Sequence, residues 1–244
     1  MATAPRVDQL QLIEVAERDA EIARLRRSDL KHPLRAEVAS LKSRVNAVDQ
    51  EISATAQSLE QINNDIKQMA QQSSQASKVI HEKKMRLKAG TGMDSRMLLA
   101  LQAEIDAQQR LIEELDGAEY EAWERQEELE ATVARLEAER EQLQDNLLGT
   151  RTELENALTA IGADIANVKE KRAALYDPLA PALKQEYERA LARGGLAVIG
   201  VHPNGTSTGG VQLSPIEVSQ LKNAAPDTIW LSEDYDCIVV LLDN

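Results

Sequence analysis

Residues 38–80 read VASLKSRVNAVDQEISATAQSLEQINNDIKQMAQQSSQASKVI. Within them Val38, Leu41, Val45, Val48, Ile52, Thr55, Leu59, Ile62, Ile66, Met69, Ser73, Ala76 and Ile80 alternate steps of three and four from end to end. At 3.6 residues per turn this spacing lines one face of a helix, forming the a/d seam of a coiled coil held for about six heptads. β-Branched residues and Leu fill the first half of the seam, and Ser73 and Ala76 thin it toward the far end.

A seam of this kind must be covered. Ala89-Gly90-Thr91-Gly92-Met93-Asp94 breaks the helix, because two glycines tolerate the positive φ that ends one. Asp94 suits the N-cap of the next helix, with Ser95 as the rival. That helix is expected over about 95–176, with a seam that includes Leu101, Ile105, Ile112, Leu115, Leu129, Leu136, Leu143, Leu154, Ile161 and Val168. Its register slips between Leu147 and Leu158, and Glu119, Gln126 and Arg140 interrupt the stripe. On the other side, Leu12, Val15, Ile22 and Leu25 predict a helix over about 8–30, with Asp19 in the vacant stripe position. His32-Pro33 ends it, since proline lacks an N–H and disfavours helical geometry in the residue before it. The next helix then runs over about 34–88.

Lengths support a hairpin. At 1.5 Å per residue the last helix spans about 120 Å, and the first two together nearly match it. A short glycine-containing link favours antiparallel neighbours in one chain. The chain is thus expected to be mainly α, with a long antiparallel coiled-coil hairpin over 1–180 and a small β-rich domain over 181–244. In that tail, Pro181 to Arg193 reads as a short helix and Leu196 to Val201 as a strand. Pro215 to Asn223 reads as another short helix, and Thr228 to Leu231 and Cys237 to Leu242 as two more strands. Leu196, Val198, Leu213, Ile229, Trp230, Ile238 and Val240 are the expected tail core.

Composition agrees. There is no Phe, and Tyr120, Trp123, Tyr176, Tyr187, Trp230 and Tyr235 are the only aromatics, as suits a chain built on aliphatic seams. The net charge is -13, unevenly spread. Residues 1–90 carry 15 Lys/Arg against 12 Asp/Glu, residues 91–193 carry 12 against 23, and residues 194–244 carry only Lys222 against 6. Such acidity argues against generic nucleic-acid binding. The single cysteine, Cys237, allows no intrachain disulfide. No apolar run approaches the roughly 20 residues that span a bilayer, and the first residues lack a signal-peptide core, so a cytoplasmic protein is expected.

The order of a helical hairpin, a short helix, Gly-Gly, a strand, a loop, a short helix and two strands resembles the bacterial four-cysteine zinc-ribbon family of coiled-coil proteins. LLALQAEID (98–106), YERALARGGLAVIGV (187–201) and Leu213-Ser214-Pro215-Ile216-Glu217 carry the likeness. The resemblance implies a tail that holds zinc through two Cys-x-x-Cys pairs, and adaptor, chaperone-like or nucleic-acid-binding roles. Here the four ligand positions hold Thr206, Gly209, Ser232 and Tyr235. Structural zinc needs four ligands, which Cys237 and His202 with Asp234 or Asp236 would not supply. The expectation is therefore a ribbon that has lost its metal, with no cofactor.

Other features divide between two readings each. Cys237 is a buried small hydrophobe or a reactive thiol. Asn204 to Gly210 has the composition of a phosphate loop but lacks the Gly-Lys-Ser/Thr ending. Lys78, Lys83, Lys84, Arg86 and Lys88 form a solvated basic helix face or an RNA contact, with no aromatic interleaved for base stacking. Met93, Met97, Leu98 and Leu99 give the turn between the long helices an apolar surface for a partner or for self-packing. Trp123 is seam cover or a partner anchor. No His stands beside a nucleophile or carboxylate in a catalytic spacing. The expectation is a non-enzymatic interaction or adaptor protein, a monomer or weak homodimer. Its hairpin would act as a spacer, with docking surfaces at the tip (Met93, Met97, Leu98, with Trp123) and tail. The alternative is RNA binding through the basic cluster.

Overall fold

The computed structural model describes residues 2–89, 94–208 and 210–242. Its elements run α1 (Arg6–Leu30), α2 (Pro33–Ala89), α3 (Ser95–Tyr176), α4 (Pro181–Ala192), β1 (Val198–Val201), α5 (Pro215–Asn223), β2 (Trp230–Leu231) and β3 (Ile238–Leu241). They form two compact units, one of residues 36–151 and one of residues 1–35 with 152–244.

The first unit is a coiled-coil hairpin of α2 and α3. Every a/d residue of α2 from Val38 to Ile80 is buried or half-buried, so the heptad pattern has its covering partner. Leu41, Val45 and Val48 form one core cluster with Leu136 and Leu143. Partner positions fall along α3 as they rise along α2. Asp49 pairs with Arg140 at 3.8 Å, and Lys83 with Glu104 further along, which is the antiparallel order. Arg140 interrupts the stripe because it reaches across to an acid. Asp94 caps α3, its Oδ1 accepting from the N–H of Met97 at 2.9 Å.

The second unit wraps a mixed sheet with helices. The strand order is β1-β3-β2, with β1 parallel and β2 antiparallel to β3. One face of the sheet, through Val198, Ile238 and Val240, packs with Leu12 and Val15 of α1 and Leu183 and Tyr187 of α4. The other face, through Ile199, Val201 and Val239, packs with Leu213 and with Leu221 of α5. A strand buried on both faces explains the unbroken apolar run 238–241. At the α1–α2 break, Arg35 donates from Nε to the Asp29 carbonyl at 2.9 Å and from Nη2 to Asp29 Oδ1 at 2.7 Å.

Two expectations need correction. Leu196 is 44 % exposed, and the neighbouring Ala197 takes the buried place at the start of β1. The expected strand from Thr228 is regular only at 230–231, because its first half faces another partner. Ile229 donates from N–H to the Ala2 carbonyl at 3.0 Å, and Ala4 donates to the Asp227 carbonyl at 2.8 Å. The N-terminal segment thus lies antiparallel beside residues 227–229, with Thr3 bridged to Thr228.

Candidate functional site

On the hairpin, most of the described residues singled out by sequence are solvent-facing. Met97 is 55 % exposed and Leu99 72 %, while Leu98 is half-buried. Met93 lies outside the described residues. Trp123 is 53 % exposed, and Tyr120, one turn earlier on α3, projects beside it. A hydrogen bond from the Tyr120 hydroxyl to the Glu124 carboxylate pushes its pKa up. Two of the chain's six aromatics therefore stand in water on an acidic helix face rather than covering the seam. In the basic cluster Lys83 is engaged by Glu104, and Lys78, Lys84, Arg86 and Lys88 are exposed.

In the tail, Cys237 is fully buried, and burial first, then the Glu217 carboxylate, raises its thiol from 9.0 to about 11. This environment suits an inert thiol. The described residues among the four positions expected to match zinc ligands do not share one environment. Thr206 sits in an exposed loop, its N–H and hydroxyl both donating to Asn204 Oδ1. Gly209 lies outside the described residues. Ser232 is buried and donates from Oγ to Glu217 Oε1 at 2.9 Å, while its Oγ accepts from the Tyr235 N–H at 3.3 Å. The Tyr235 hydroxyl reaches the Gln212 carbonyl at 3.2 Å. Among the described residues, no group of three or more His, Cys, Asp or Glu is placed to hold a metal ion.

Glu217 was not singled out from sequence. It closes the capping box of α5, its carboxylate accepting from the Ser214 N–H at 3.2 Å and its own N–H donating to Ser214 Oγ. The Ser-x-x-Glu spacing after Leu213 carried that signal. Beside it, a cavity of about 950 Å³ opens between α5 and residues 228–234. Ile216, Trp230 and Leu231 supply its apolar surface, and Glu186, Glu233 and Asp234 are among its lining residues.

A second polar cluster centres on Asp19. Its carboxylate accepts from Arg172 Nε and Nη2, and from the Tyr187 hydroxyl at 2.9 Å. The Arg172 guanidinium also lies 4.4 Å from the centre of the Tyr176 ring. The gap that Asp19 leaves in the α1 stripe was its only trace in sequence. Three donors converging on one carboxylate make a structural clasp with no free acid or base. Among the described residues, no helix is long and apolar enough to cross a membrane.

The chain resembles known proteins along nearly its whole length. The family described as the CT398-like coiled coil hairpin domain matches residues 15–195. Two proteins described as uncharacterized, from two strains of Mycobacterium tuberculosis, are each 25% identical over 236 residues, covering 97% of this chain and 96% of theirs. Among solved structures, a protein of Mycobacterium smegmatis matches with a TM-score of 0.78 at 20% identity, covering 98% of this chain and 100% of its own. CT398 of Chlamydia trachomatis matches at 0.76 and 16% identity, covering 96% and 98%. The HP0958 protein of Helicobacter pylori matches at 0.52 and 15%, covering 96% and 97%.

Proposed function

Because the chain belongs to the family of CT398-like coiled coil hairpin domains, we propose that it is a non-enzymatic cytoplasmic interaction protein whose hairpin presents docking surfaces to partner proteins. The supporting observation is the exposure of Met97, Leu99, Tyr120 and Trp123 on a helix that has an apolar seam in which to hide such groups. Aromatic side chains and Met are enriched where proteins meet, and single anchors of this kind carry much of the binding energy. The chain works as a monomer or weak homodimer, and its tail offers a second surface.

Site-specific photo-crosslinking from residues 97 and 123 in cells tests this. A discrete crosslinked protein at either position, lost when Met97, Leu99, Tyr120 and Trp123 are changed to Ser, supports the reading. Retention of every partner by that variant overturns it. The competing RNA reading requires a salt-sensitive complex that disappears when Lys84, Arg86 and Lys88 are changed to Gln.

We further propose that the tail is a zinc ribbon without its metal. The turn in which Ser232 Oγ accepts the Tyr235 N–H, at the second pair of ligand-equivalent positions, supports this. Elemental analysis should find no stoichiometric zinc, and one zinc per chain would sink the idea.

A further inference from the structure

The edge of the sheet beyond β2 is only partly covered. Ser232 donates from N–H to the Cys237 carbonyl at 2.9 Å, and Trp230 lies opposite Val239, so these two residues turn their backbone toward β3. Leu231 lies opposite Ile238, whose N–H goes instead to the Ala197 carbonyl on the far side. By strand alternation, the N–H and C=O of Leu231 point outward, along the same edge as Asp227 and Ile229. Ala4 and Ala2 fill the first two places on that edge. Among the described residues none fills the third, at Leu231, which lines the cavity beside α5.

The surroundings of that open place specify what fits. Ile216 is 71 % exposed and Leu231 43 %, giving apolar cover for an incoming chain. Glu233 and Asp234 have no ionic partner among the described residues, and no Lys or Arg is among the residues lining the cavity. Glu217 is already engaged by Ser214 and Ser232, and Glu186 by Arg189. An open edge position at Leu231 with an apolar floor and two free carboxylates is complementary to an extended cationic peptide.

We propose that this groove docks a short extended segment of a partner protein, rich in Lys or Arg, which adds as a strand at Leu231. Backbone hydrogen bonds hold the segment, and Glu233 and Asp234 select its charge. The inference rests on the reading of the tail as a docking surface. It is independent of the hairpin residues, so its failure would leave their crosslinks untouched.

The test uses the full chain and a fluorescent eight-residue peptide of alternating Lys and Val. The controls are the Glu-Val peptide and a Lys-Val peptide methylated on alternate backbone nitrogens. Lys-Val binds at low salt, and both controls bind at least about tenfold more weakly. The double change Glu233→Gln with Asp234→Asn weakens binding about tenfold. Leu231→Pro removes an outward N–H on an edge strand, a position that tolerates proline, together with part of the apolar cover, and lowers affinity by at least a similar factor. Hydrogen exchange of the Leu231 amide in the unaltered chain slows when Lys-Val is added, which reads the contact without any variant. Equal binding of the methylated peptide, an unchanged Leu231 amide, or no binding at low salt overturns the proposal.

Discussion

Asp19 and Arg172 lie 153 positions apart in sequence, yet the guanidinium meets the carboxylate through two parallel hydrogen bonds of 2.7 and 3.0 Å. The pair joins α1 to the last turns of α3, and Tyr187 of α4 completes it. A position in an apolar stripe has thus become the place where three helices are held in register. Fork-to-carboxylate geometry fixes direction as well as distance, which an aliphatic contact would not.

Breaking this pair should be costly but not fatal. Both side chains are about a quarter exposed, so solvent screens part of the interaction. Arg172→Ala or Asp19→Ala should each lower stability by about 1–3 kcal/mol. A double-mutant cycle by urea unfolding should return a coupling of about 1 kcal/mol. Additive effects would show that the two residues act separately.

Alkaline conditions should weaken the second unit in a defined window. Burial, with the nearby Glu217 charge, raises Cys237 from 9.0 to about 11. Burial, with the hydrogen bond to Glu188, raises Tyr176 from 10.0 to about 12. Burial and Asp19 raise Tyr187 further. Each group keeps its proton in the fold at a pH where the unfolded chain has lost it. Their stabilisation is therefore complete below pH 9; the shares of Cys237 and Tyr176 are lost as pH rises from about 9 to about 12, and that of Tyr187 goes last. Unfolding at stepped pH should show the fall, and Cys237→Ala should remove its earliest part. The native thiol should also resist a disulfide reagent at pH 8 and react once the chain is denatured.

The hairpin should respond to a single cavity. Leu136 is 2 % exposed and packs in the cluster with Leu41, Val45 and Val48. Leu136→Ala should cost about 2–5 kcal/mol. Hydrogen exchange should accelerate on α2 and α3 near these residues first. Uniform acceleration along the chain would contradict this local assignment.

Gln9 should matter more than a polar residue in the second turn of a helix usually does. It is buried, and its amide donates to the carbonyls of Ala4 and Pro226 at 3.0 and 3.1 Å. Gln9→Ala strips two enclosed acceptors of their donor and should cost about 1–3 kcal/mol. Limited proteolysis should then cut faster within residues 224–229. An unchanged cutting rate would mean that backbone pairing alone holds the N-terminal segment.

The periodic parts of this fold were legible in sequence, and the reason is local. From Val38 to Ile80 each seam position reports its own burial, so α2 and its covering arm follow from spacing alone. The breaks at Pro33 and after Ala89, and the short helix from Pro215, are written in residues that restrict their own backbone. The pairing of Ala2 to Ala4 with Asp227 to Ile229 left no such mark, because no local rule links segments so far apart. Arg172 and Gln9 stayed hidden for the same reason, since their partners are set by tertiary packing, whereas the Ser214-x-x-Glu217 capping box is local and only its link to Ser232 is not. The exposed Met97 and Trp123 were visible as candidates, but only the geometry shows that the seam leaves Trp123 outside.

One consequence concerns the order in which the protein is made. Residues 1–35 belong to the same compact unit as residues 152–244, and β3, near the C-terminus, lies between β1 and β2. A ribosome delivers the first helix long before the strands that complete its core. The hairpin of residues 36–151 can zip as soon as it emerges, since that compact unit is continuous in sequence. The apolar face of α1, with Leu12 and Val15, must meanwhile wait in the open until Ile238 and Val240 have emerged. Between the emergence of α1 and that of β3, the nascent chain therefore holds one finished hairpin and one unfinished core. In that interval, a chaperone would find its target on the apolar face of α1.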